Sequence, residues 1–199
     1  MKLLRIDSSP RANGSHSKEL ANMLEAKLQS TYSNLNITNC DLSTKELPHI
    51  NQEYIEATLI PKIDRTPDMN KVLSLADSFI TDIKNADIVL VSVPMYNFNI
   101  PSTLKAYIDY ISRFGETMTY DESGYKGLLT DKKLIIAAAY GAYFSQMKAM
   151  DFVEPYLKSV FNFLGFSDIT YLAIEGTSQL STEALREKKE KLLNDFSYT

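Results

Sequence analysis

The stretch that most restricts how this chain can fold is Asp87-Ile88-Val89-Leu90-Val91-Ser92-Val93-Pro94. A short run with almost no polar interruption does not alternate between core and solvent. It reads as a strand covered on both faces, and such strands belong to parallel sheets flanked by crossover helices. The rest of the chain fits that requirement. Lys2 to Ile6 reads as a first strand and Leu35 to Cys40 as a second. Leu134 to Ala139 and Ile169 to Ile174 supply two more.

Helical periodicity fills the intervals. Leu20, Leu24 and Leu28 share one face of a helix that Ser15 or Ser17 can cap. Val72, Leu75, Ala76, Phe79, Ile80 and Ile83 form a second apolar stripe. Pro101 suits the first turn of a helix that turns Leu104, Tyr107, Ile108 and Ile111 inward. Val153, Tyr156, Leu157, Val160, Phe161 and Leu164 make another stripe, which Gly165 can close. A charged helix is expected over 181–196. Pro48, Pro61 and Pro67 interrupt residues 41–70, where a short helix over 51–59 fits. Residues 117–130 carry Gly124 and Gly127 and read as an excursion of hairpin type.

Five β-then-α units predict an α/β fold, a doubly wound five-stranded parallel sheet in three α/β/α layers, with residues 1–199 as a single domain. The 199 residues suffice for one core of this kind. Lys and Arg number 21 against 25 Asp and Glu, so no basic excess points to nucleic acid. The lone Cys40 precludes an intrachain disulfide, and with only two histidines, His16 and His49, no metal site is expected. No apolar run reaches the roughly 20 residues of a membrane span, and the charged N-terminus is no signal peptide. A cytoplasmic protein without a membrane partner is the expectation.

Sheets of this type bind ligands beyond the carboxyl ends of their strands, where the strand order reverses. Three loops therefore matter. The first, Ser8-Ser9-Pro10-Arg11-Ala12-Asn13-Gly14-Ser15-His16-Ser17, runs from a strand into a helix N-terminus. Free amides and the positive end of the helix dipole collect anions there, and serine hydroxyls add donors. It reads as a phosphate cradle or as an ordinary capped turn. It is neither a Walker loop nor a GxGxxG fingerprint. The second loop, Pro94-Met95-Tyr96-Asn97-Phe98-Asn99-Ile100-Pro101, offers apolar faces and polar edges to a planar heteroaromatic ring. Alternatively, Tyr96 and Phe98 pack under the following helix. In the third, Ala139-Tyr140-Gly141-Ala142-Tyr143-Phe144, Gly141 permits a positive φ, and Tyr140 and Phe144 are either pocket walls or core.

Taken together, Ser9 with Ser15-His16-Ser17, the segment Pro94 to Pro101, and Leu104-Lys105-x-Tyr107-Ile108-Asp109 resemble the FMN-dependent NADH-azoreductases. That family lies within the flavodoxin-like NAD(P)H:quinone oxidoreductases. Gly115-x-Thr117-x-x-Tyr120, Gly124-x-x-Gly127-Leu128 and Phe163-Leu164-Gly165-Phe166 extend the likeness over almost the whole chain. The resemblance implies a flavodoxin-like fold and a homodimer with the site near the interface. It implies FMN, with its phosphate at Ser9, Ser15, His16 and Ser17. The isoalloxazine would lie against Pro94, Met95, Tyr96, Asn97 and Phe98, and against Ala139, Tyr140, Gly141 and Ala142. NADH or NADPH would be the electron donor and a quinone or azo compound the acceptor, in ping-pong order. Phe98, Tyr120, Phe161 or Phe163 would wall the substrate. No catalytic acid or base is implied, because the flavin carries the chemistry.

Two departures stand out. Tyr140-Gly141-Ala142 replaces the family's usual Arg-Gly-Gly, and His16 stands where Gln is common. A flavodoxin-type electron carrier without its own substrate is the competing reading, and a non-enzymatic nucleotide or redox sensor is a third.

Overall fold

The computed structural model describes residues 1–144 and 147–197. Its main sheet has five parallel strands, side by side in the order 36–41, 2–7, 88–94, 133–139 and 168–174. They are β1 (Lys2–Asp7), β2 (Asn36–Asp41), β3 (Ile88–Pro94), β6 (Lys133–Ala139) and β7 (Asp168–Ile174). The helices are α1 (His16–Thr31), α2 (Gln52–Leu59), α3 (Pro67–Asn85), α4 (Ser102–Ile111), α5 (Glu154–Leu164) and α6 (Thr182–Asp195).

The all-apolar reading of β3 is correct, since Ile88 through Val93 are buried. Neighbouring side chains diverge to two cores. Val89, Val91 and Val93 join Leu4, Ile6, Leu134 and Ile136 under α3, α4 and α5. Ile88 and Leu90 join Leu3 and Ile135 under α1 and α6. Each fully buried Val, Ile or Leu stabilises by roughly 1.5–3 kcal/mol, so β3 anchors both layers at once. Ser92 is the polar exception and is fully satisfied. Its hydroxyl donates to Asp7 Oδ1 at 2.6 Å, and its carbonyl accepts from the Ser8 hydroxyl at 2.8 Å. Cys40 is buried on β2, and desolvation pushes its thiol up to about 11, so it stays protonated as an apolar filler.

Sheet order reverses between β1 and β3. From β1 the chain crosses to α1 on one face, and from β3 to α4 on the other. A crevice must open between these departures. The excursion over 117–130 is an antiparallel hairpin of β4 (Met118–Asp121) and β5 (Gly124–Gly127). Its base is clamped to the end of α5, where Gly165 takes φ 112° and Leu129 N–H donates to Leu164 C=O at 2.9 Å. Gly127 permits this approach, since a Cβ there would lie 2.2 Å from Gly165 N and Leu164 C.

Those are backbone atoms and cannot swing aside. Gly127→Ala is therefore expected to destabilise the protein by about 2–3 kcal/mol, the upper range for overpacking. Gly124→Ala, strained at φ 107° but facing open space, should cost only about 1 kcal/mol. Urea unfolding of the two variants checks the ranking.

Candidate active site

The crevice is a cleft of about 440 Å³ across the carboxyl ends of β1, β3 and β6. One end is the N-terminus of α1. Ser15 is its N-cap, with Oγ accepting from Lys18 N–H at 3.4 Å, and Ser15 Oγ lies 3.2 Å from Ser17 Oγ. Ser9, Ser15 and Ser17 are all buried, yet all line the cleft. Ser8 is turned away to Ser92, so the loop presents three serines, not four. His16 also lines this end, with Nδ1 3.4 Å from Glu19 Oε2 and 3.5 Å from Lys189 Nζ. Arg11 completes it. No carboxylate lines the cleft among the described residues. Despite its net negative charge, the chain offers an anion a wholly neutral or cationic surface here.

Pro94, Met95 and Tyr96 form the second wall. Met95 N–H is held by Ala139 C=O at 2.9 Å. Tyr96 and Asn99 exchange both backbone hydrogen bonds, at 2.9 and 3.0 Å, around Asn97 and Phe98 at φ 49° and 70°. Positive φ at both central positions is the tight I′ geometry. It leaves the Asn97 and Phe98 amides without a partner among the described residues. Tyr96 and Phe98 are 37% and 42% exposed, so neither packs under α4. Asn97 faces an adjoining hollow with Lys105 and Tyr156, on the other side of Tyr96.

Ala139 and Gly141 form the third wall, with Thr177 and Ser178 behind them. The Gly141 carbonyl accepts from Ser178 N–H at 3.1 Å and from its hydroxyl at 2.6 Å. The Ala142 carbonyl accepts from Gly176 N–H at 3.2 Å. With these carbonyls turned away, the Gly141 and Ala142 amides have no partner among the described residues. Gly141 does not adopt a positive φ, and neither does Ala142. The left-handed non-glycine residues near the cleft are Asn97 and Phe98, and alanine at 142 brings no backbone strain.

Two expected side chains lie elsewhere. Tyr140 is not a cofactor contact through its ring, which is 1% exposed in the core beneath the cleft. Its hydroxyl donates to Asp151 Oδ2 at 3.1 Å and receives the Tyr171 hydroxyl. Burial pushes both phenols well above the usual tyrosine range, and the Asp151 carboxylate adds to this, so both stay protonated. Phe161 is not a substrate wall. It is fully buried and packs edge-on to Phe166 at 5.3 Å. Phe163, two positions on, faces outward and continues an exposed row, Tyr120 to Tyr125 at 5.1 Å and Tyr125 to Phe163 at 5.7 Å. Of the expected site residues, Asn97, Phe98, Tyr120, Ala142 and Phe163 also do not line this cleft.

Arg11, Thr177 and Ser178 are the lining residues that sequence reasoning passed over. Arg11 stands in the first loop, and its charge beside three serines was the available signal. Thr177 and Ser178 follow the outermost strand, and only tertiary contact with Gly141 brings them in.

Residues 1–196 match the family described as having a flavodoxin-like fold. An FMN-dependent NADH:quinone oxidoreductase from Hydrogenovibrio crunogenus is 40% identical over 197 residues, covering 96% of this chain and 98% of that protein. Among solved structures, azoreductase AzrA superposes with a TM-score of 0.88 at 27% identity, over 98% of each chain. An FMN-dependent NADH-azoreductase from Bacillus anthracis, solved in complex with FMN, gives 0.85 at 28% identity over 97% of this chain and 96% of that one. Likeness of this depth through nearly the whole length settles the ancestry: the chain belongs to the flavodoxin-like family, among the FMN-dependent NADH:quinone oxidoreductases.

Proposed function

We propose that this chain binds FMN in the cleft and passes electrons from NADH to quinones and azo compounds by a ping-pong mechanism. The observation that carries the reading is the polarity of the cleft. One end has buried serine hydroxyls at a helix N-terminus, with Arg11 and His16 and no carboxylate. The other end has apolar Met95 and Tyr96 and the backbone of Gly141, and the loops that carry them hold unpartnered amides at Asn97, Phe98, Gly141 and Ala142 among the described residues. The first suits a phosphate dianion, and the second suits the face and edge of a flat heteroaromatic ring. A bound flavin supplies the two-electron redox chemistry.

The residues here bind and orient. Ser9, Ser15, His16 and Ser17 take the phosphate tail. Pro94 to Phe98, and the backbone of Ala139, Gly141 and Ala142, take the ring. Neutral amide donors along the ring edge are preorganised for charge arising there and need no proton of their own. Phe98 forms a wall against which donor and acceptor stack in turn, and one shared pocket gives ping-pong order.

The functional unit in this reading is a homodimer. Tyr120 and Tyr125 on the hairpin and Phe163 on α5 form an exposed aromatic row beside the point where the hairpin base is clamped to the helix. An exposed aromatic patch of this kind suits an interface, and a second copy of the chain is the partner. There the row would close the open side of the other copy's cleft.

With FMN and anaerobic NADH, the flavin absorbance near 450 nm should bleach and return on adding menadione. Double-reciprocal plots at several NADH concentrations should be parallel, and a persistent flavin band would remove the enzymatic reading. Ser15→Ala/Ser17→Ala should weaken FMN about 100-fold or more, because each charge-assisted bond is worth roughly 1.5–3 kcal/mol. Since Ser15 also caps α1, Ser17→Ala alone, at about tenfold, separates anion binding from helix stability in a fluorescence titration. Tyr125→Asp should give monomers by sedimentation velocity and raise the quinone KM by roughly tenfold. A variant that remains dimeric with unchanged KM would refute the covering role of the hairpin.

A further inference from the structure

We propose that Tyr140 is the positioning residue that holds Phe98 in the wall of the acceptor pocket, acting through Asp151, Phe152 and Phe144. The inference rests on the assignment of Phe98 to that wall.

Phe98 is a bulky residue at φ 70°, a strained conformation that persists only when its surroundings impose it. The Tyr96–Asn99 pair closes the turn but does not touch the Phe98 ring or carbonyl. Two supports from outside the turn do. The Phe98 carbonyl accepts from Phe152 N–H at 3.0 Å. Its ring meets Phe144 edge-on, with centroids 6.4 Å apart at 70°.

Tyr140 stands behind both. Its ring lies 5.3 Å from Phe144 at a tilt of 37°. Its hydroxyl donates to Asp151 Oδ2. The other oxygen of Asp151 accepts the free amides at the start of α5, Val153 N–H at 2.8 Å and Glu154 N–H at 3.3 Å. Asp151 is thereby fixed from two directions, and Phe152 follows it in the chain. The remaining lone pair of the Tyr140 oxygen takes the Tyr171 hydroxyl, which stands on β7. A hydrogen-bonded relay from Tyr171 through Tyr140 to Asp151 thus connects the sheet to the support of Phe98. Phe144 is steadied further by its N–H donating to Glu175 Oε2 at 3.0 Å. Tyr140 contacts neither cofactor nor acceptor, since its ring is buried below the cleft and its N–H is given to Ile174 C=O.

The test is a double-mutant cycle on the FMN-loaded full chain with Tyr140→Phe and Phe98→Ala. Phe98→Ala should raise the menadione KM about tenfold. Tyr140→Phe should raise it about fivefold with kcat within about twofold, and leave the FMN dissociation constant within about twofold. On the Phe98→Ala background, Tyr140→Phe should change the menadione KM by less than about 1.5-fold. Exchange of the Phe152 amide should quicken about tenfold in Tyr140→Phe. An unchanged KM or unchanged Phe152 exchange in Tyr140→Phe, or an equal KM rise on both backgrounds, overturns the positioning role and leaves the site assignment standing. An unchanged KM in Phe98→Ala overturns the wall assignment, and the inference with it. Where Tyr140→Phe does not fold, Tyr171→Phe breaks the same relay from the sheet side, and a wild-type KM there overturns the proposal.

Discussion

A parallel sheet buried on both faces satisfies the backbone of its inner strands everywhere except at the strand ends. That constraint governs the molecule. The β3 strand fills two cores at once, so nothing along its length is available for chemistry. What remains is the carboxyl end, where α1 and α4 leave to opposite faces and the amides of a helix N-terminus and two loops lack partners. The cleft follows from the topology, and the residues at its rim then decide what it holds.

The division of labour along the cleft follows the same logic. At the α1 end, hydroxyls, free amides and the Arg11 guanidinium converge, and no carboxylate lines the cleft among the described residues. At the far end, the donors are uncharged amides made available in two ways. Around Asn97 and Phe98 the backbone turns left-handed. At Gly141 and Ala142 the carbonyls are drawn off by the 176–178 segment. A ligand with a charged tail and a neutral polar ring matches this gradient, and one with charge distributed evenly does not.

Much of this was legible in the sequence because it rests on short-range pattern. The unbroken β3 run, the helical stripes and the hairpin glycines each stand in the expected place. The serine loop was legible because strand, loop and helix N-terminus are contiguous. Tertiary facts were not. Phe161 belongs to the inward stripe of α5 with Leu157 and Leu164, and helix phase alone separates it from Phe163, about 200° around the axis. The third loop has a glycine, yet the strain sits on Asn97 and Phe98, because the Tyr96–Asn99 pairing imposes it across the turn. No local signal announces that Thr177 and Ser178 reach back to Gly141.

The departures at 140–142 have a physical sense that family comparison alone would obscure. An alanine at 142 suggests strain if the loop needs a left-handed residue, but the loop needs none. A tyrosine at 140 suggests a lost cation at the ring, and in this chain the side chain is not at the cleft at all. It has entered the core, where a phenol is tolerated only because Tyr171 and Asp151 satisfy its hydroxyl. The cationic character of the cleft accordingly lies at the α1 end, with Arg11, while the opposite end is shaped by packing. On the proposed assignment, the ring end of the cleft depends on how well Phe98, Phe144 and Tyr140 hold one another, and the buried hydrogen-bond relay behind them becomes part of the site.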